Sequence, residues 1–78
     1  MMRLLVMNGW NVGFNKILLT KTLQVEFGYS LTESKSITDR VLAKEEIRIP
    51  LDHRHPKEKE EDLLRQLREI GLKVSIKS

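Results

Sequence analysis

Phe27-Gly28-Tyr29-Ser30-Leu31-Thr32-Glu33 sets a helix stop directly against a helix start. Glycine takes the left-handed conformation that commonly ends a helix at little steric cost. Ser30 and Glu33 then stand at capping-box spacing: the serine hydroxyl accepts the Glu33 amide while the Glu33 carboxylate reaches back to the Ser30 amide. With two or three residues between the helices, the chain must turn back on itself as a tight αα-hairpin.

The first of these helices is expected to run from about Phe14 or Asn15 to Phe27, with Asn15 or Asn11 as its N-cap. Ile17, Leu18, Leu19, Leu23, Val25 and Phe27 cover most of its circumference, which predicts packing on more than one side. Lys16, Thr20 and Gln24 form a polar stripe at i, i+4, i+8, with Lys21 beside it. The second helix spans Leu31 to about Leu42, with Leu31, Ser34, Ile37, Val41 and Leu42 inward.

Around this hairpin lie shorter elements. Arg3–Met7 reads as a short buried strand ended by Asn8-Gly9, followed by a loop from Trp10 to Gly13. Glu46–Leu51 alternates, with Ile47, Ile49 and Leu51 on one side, and Pro50 favours an edge strand because it has no amide to donate. Pro56 starts a third helix, Lys57–Ile70, with acids in its first turn, a Leu63/Leu64/Leu67/Ile70 stripe and Gly71 as its stop. Leu72, Val74 and Ile76 alternate with polar residues as a last strand. The expectation is a single α+β domain over residues 1–78, a two-layer β-α-α-β-α-β arrangement with a three-stranded sheet covered by three helices on one face.

Composition narrows the function classes. Seventy-eight residues are one domain's worth, and 32% charged with 40% apolar suits a small globule. The absence of cysteine excludes disulfides, zinc ribbons and thiol nucleophiles. Leu4-Leu5-Val6-Met7 is too short for a signal peptide, and no apolar run reaches the ~18 residues of a membrane span. The reading is a cytoplasmic protein, a monomer or weak homodimer. Net charge is +3, with eight basic and six acidic residues in 1–56 against six and five in 57–78. So even a spread gives little support to a polyanion partner.

From Asn15 to Leu42 the chain resembles the C-terminal domain of the bacterial ribosomal stalk protein, the mobile large-subunit domain that engages translation GTPases. That family carries Asn-Lys, a lysine five residues after the first, a helix-ending glycine, then Leu-x-Glu-x-Lys. Asn15-Lys16, Lys21, Gly28, Leu31, Glu33 and Lys35 match without a gap, and Leu63–Lys77 resembles the family's closing helix and strand. The resemblance implies a non-catalytic module with no cofactor, docking a translation factor or another acidic-surfaced protein. Its contact residues would be Lys16, Lys21, Leu31 and Lys35, with Thr20 and Gln24 tuning partner choice. Here Thr20 stands where the family has an apolar residue, Gln24 where it has arginine and Ser30 where it has glycine. These residues contain no Ala/Gly-rich hinge, so attachment to a ribosome in the stalk's manner is not expected.

A second resemblance is to the adaptor that delivers substrates with destabilising N-terminal residues to the Clp protease, through Asn8 and Phe27-Gly28-Tyr29-Ser30 leading to Glu33. Other signals are weaker. His53 and His55 flank Arg54 beside Asp52, but two imidazoles around a cation make a poor zinc site, and no nucleophile stands near them in sequence. No metal site and no catalytic constellation is expected. Trp10, the one tryptophan, is expected to cap the core rather than anchor a partner. A nucleic-acid role would rest on Arg48, Lys73 and Lys77 sharing an open sheet face with Arg3. It ranks low because that face has no aromatics for stacking.

Overall fold

The computed structural model describes residues 3–51 and 55–77. The chain folds as β1 (Arg3–Trp10), α1 (Lys16–Phe27), α2 (Leu31–Leu42), β2 (Ile47–Leu51), α3 (Lys57–Glu69) and β3 (Leu72–Lys77). The three strands form one antiparallel sheet in the order β2-β1-β3. This is the expected α+β arrangement, and Pro50 does lie on an edge strand, where its missing amide breaks no inner ladder.

Register sorts the side chains. Leu5 pairs with Ile49 and Ile76, and Met7 with Ile47 and Val74, so these residues share the face turned toward the helices. They meet Leu19, Leu23 and Phe27 of α1, Val41 of α2, and Leu63 and Leu67 of α3 in one core cluster. α2 and α3 lie against the sheet, and α1 packs on α2. Val6 points to the opposite face between Arg48 and Ser75, and it too is buried.

The hairpin is built as its sequence dictates. The Asn15 side chain accepts the Leu18 amide at 3.0 Å, and Gly28 closes α1 in the left-handed region at φ 70°. Glu33 N–H donates to Ser30 Oγ at 3.1 Å and Ser30 N–H to Glu33 Oε1 at 3.3 Å, completing the capping box.

Four expectations are corrected. First, β1 does not stop at Asn8-Gly9: a bulge between Met7 and Trp10 absorbs the irregularity, and the strand continues until Trp10 pairs with Leu72. Trp10 is half-buried against the core and stacks on Phe14 with ring centroids 6.0 Å apart. Second, Arg3 is not on the open face. Odd-numbered β1 residues face the helices, and Arg3 forms a two-pronged ion pair with Glu60 of α3 at 2.7 and 2.6 Å. Its hydrogen bond to Glu60 raises the guanidinium pKa by more than burial lowers it, and the carboxylate's charge adds to the rise. Third, Leu31 does not point inward: it is half-exposed, and Thr38 takes an inner position beside Ser34 and Val41.

The fourth correction concerns α1, which is packed on one side and not several. Ile17 is 74% exposed and Val25 71%, while Leu19, Leu23 and Phe27 are buried. At 100° per residue those three define one stripe, and Ile17, Lys21 and Val25 stand away from it, outside the core.

Candidate functional site

α1 and α2 are antiparallel neighbours, and the furrow between them on the outer surface holds about 530 Å³. Its walls contain all six residues proposed above for partner contact: Lys16, Thr20, Lys21 and Gln24 from α1, and Leu31 and Lys35 from α2. Ile17, Thr38 and Asp39 complete them. Each helix contributes positions up to eight residues apart, Lys16 to Gln24 and Leu31 to Asp39, so the furrow spans about 12 Å, a little over two helical turns.

Its chemistry divides cleanly. Ile17 near one end and Leu31 near the other are exposed apolar side chains. Lys16, Lys21 and Lys35 are exposed, and among the described residues none of them forms an ion pair. Arginines elsewhere contrast with them: Arg3, Arg40, Arg48 and Arg65 pair with Glu60, Glu45, Glu46 and Asp62. Three cations against the single carboxylate of Asp39 leave the furrow net positive. On the floor, Thr20 Oγ1 and Thr38 Oγ1 lie 2.9 Å apart.

Sequence reasoning missed Ile17 as part of this surface, because its apolar side chain was assigned to a second packed face. It also missed Thr38. The i, i+3, i+7 relation of Leu31, Ser34 and Thr38 was the available signal.

The other candidate residues are dispersed. Asn8 is exposed beside the β1 bulge, whereas Phe27 contacts His55 (ring centroids 4.6 Å apart), which follows the strand paired with Arg3 at the far end of β1. His55 donates from Nε2 to the Glu26 carbonyl at 2.6 Å, serving the C-terminal turn of α1, and its proposed neighbour His53 lies outside the described residues. Among the described residues no three His, Asp or Glu side chains gather as metal ligands. Arg48, Lys73 and Lys77 share the outer sheet face, without Arg3.

No family model, curated protein or solved structure matches this chain. Among the described residues no helix is long and apolar enough to cross a membrane.

Proposed function

We propose that this domain is a non-catalytic, cytoplasmic protein-interaction module that docks an acidic-surfaced protein through the α1–α2 hairpin, in the manner of the ribosomal stalk C-terminal domain it resembles. A translation GTPase is the first partner to try. One observation carries the reading: three exposed lysines with no ion-pair partner among the described residues border a furrow whose ends bear the exposed apolar residues Ile17 and Leu31. Such a surface suits an interface in which charge steers the encounter and a small apolar contact holds it. Leu31 acts as anchor, Lys16, Lys21 and Lys35 steer, and Thr20 and Gln24 set which partner is accepted.

The test is an amide-resolved NMR titration of the labelled domain with a purified translation elongation GTPase, repeated with Lys21→Glu/Lys35→Glu. Both lysines are exposed and outside the core, so the double variant should fold normally. Shifts confined to Lys16, Lys21, Leu31 and Lys35, lost in the double variant, are expected. Binding of unchanged affinity in that variant would refute the surface, and no shifts at high concentration would remove the GTPase as partner.

A further inference from the structure

The two edges of the sheet are unlike. Pro50 pairs with Leu4 and has no amide proton, so it occupies a position of β2 whose backbone groups turn away from β1. A strand extending the sheet at that edge would meet the proline instead of a donor. The same phase runs across the sheet. Leu4 and Val6 direct their amides and carbonyls to Lys77 and Ser75 of β3, which leaves those of Val74 and Ile76 facing outward. Arg68 of α3 shows the same phase, since its guanidinium donates to the outward Val74 carbonyl at 3.3 Å. That is long for such a bond, and a better-placed donor would displace it. Among the described residues, the Val74 amide and both backbone groups of Ile76 have no partner.

There is room beside this edge. A groove of about 530 Å³ lies between α3 and β3, with Arg3, Glu60, Leu64, Arg68, Ser75 and Ile76 among its walls. Ser75 and Ile76 stand on opposite faces of the strand, so the groove reaches the edge backbone between them. On the helix-facing side, an added strand would meet the half-buried apolar residues Leu64 and Ile76. On the outer side it would meet Lys73, Ser75 and Lys77, and both lysines are exposed with no ion pair among the described residues. A second copy of this chain is a poor occupant. Two β3 edges laid antiparallel gather four lysines on one face, and matching Val74 to Ile76 sets each Lys73 directly against a Lys77.

We propose that the β3 edge is a second docking site, which takes up an extended acidic segment of a partner protein as a fourth, antiparallel strand. The segment it fits reads acidic, apolar, polar, apolar, acidic. Its two apolar residues exchange backbone hydrogen bonds with Val74 and Ile76, and its two carboxylates lie opposite Lys73 and Lys77. None of the residues lining the α1–α2 furrow takes part, so this site does not depend on the docking role proposed above.

The test uses three capped peptides: one with the core Glu-Val-Thr-Val-Glu, its charge-reversed form Lys-Val-Thr-Val-Lys, and the acidic peptide N-methylated at both valines. Each is titrated into the labelled domain, with amide exchange rates measured at saturation. The acidic peptide should slow exchange of the Val74 and Ile76 amides about tenfold or more. It should also bind about tenfold more tightly than the basic peptide, as two cross-strand charge pairs imply. N-methylation removes the donors and keeps the side chains, so it should abolish binding. In Lys73→Glu/Lys77→Glu, where both positions are exposed and outside the core, the basic peptide should become the tighter ligand. Unchanged affinity of the N-methylated peptide, or no protection of Val74 and Ile76, overturns strand addition. Equal affinity for the two charged peptides, or no reversal in the double variant, overturns the acidic partner. Failure of every peptide to bind removes the site. Protection of both amides in the free domain that grows with its concentration would give the edge to a second copy and overturn the proposal.

Discussion

Leu23 and Val25 stand two residues apart on α1, yet the structure gives truncation of each an opposite outcome. Leu23 is fully buried in the core cluster, whereas Val25 is 71% exposed. Leu23→Ala removes buried carbons and leaves a cavity, at a cost of about 2.7–5 kcal/mol. A domain this small has about 4–10 kcal/mol in total, so the variant loses about a quarter or more of its stability. With a urea slope of about 1 kcal/mol/M, its midpoint falls by about 3 M or the domain unfolds outright. Val25→Ala gives up little buried surface and gains up to about 0.6 kcal/mol of helix propensity, so it should stay within about 0.5 kcal/mol of wild type. Urea unfolding followed by far-UV circular dichroism and by the fluorescence of Trp10 measures both, at two protein concentrations. A loss above about 1.5 kcal/mol for Val25→Ala would refute the one-sided packing of α1. If that loss grew with protein concentration, the face would be covered by a second copy of the chain.

Three further outcomes follow from local geometry. Gly71→Ala should destabilise by at least about 2 kcal/mol in the same assay, because a Cβ there would lie 2.7 Å from Phe14 Cα at a φ of +100°; a neutral result would mean the Phe14 loop yields freely. Lys44 ends α2 in the left-handed region at φ 64° and holds its ammonium 5.6 Å from the Trp10 ring centre. Lys44→Gly should therefore be more stable than Lys44→Ala by about 1 kcal/mol, the reverse of their order inside a helix, and equal midpoints would contradict the backbone assignment. Ser34 is fully buried and its hydroxyl has no partner among the described residues, so Ser34→Ala should be neutral or raise stability by about 1 kcal/mol; a loss of that size would show that the hydroxyl is bonded.

How much was legible beforehand depends on the range of the physics involved. Asn15, Gly28, Ser30 and Glu33 act on amides within a few residues of themselves, so the helix ends could be read from spacing. The same is true of the alternation in Ile47–Leu51 and Leu72–Lys77, where every second side chain must share a face. The β1 bulge was not legible, because whether Asn8-Gly9 ends a strand or bends it depends on β3 lying alongside to receive Trp10. Nor was the Arg3–Glu60 pair, which joins residues 57 apart.

The candidate site shows the same division. Sequence alone placed Lys16, Thr20 and Gln24 on one stripe of α1, because helical periodicity is a local property, and it set the hairpin that brings α2 alongside. It turned Leu31 inward, and only the packing exposes that side chain beside Lys35. Tertiary structure decided which side of α1 the core would take. Its apolar residues run nearly all the way round, and local chemistry cannot choose among them; only the packing of α1 on α2 and into the common core buries Leu19, Leu23 and Phe27 and leaves Ile17 and Val25 exposed. That same choice turns Thr20 onto Thr38 and opens the furrow beside Leu31, since contacts between helices depend on how they pack and no spacing along a single helix encodes them.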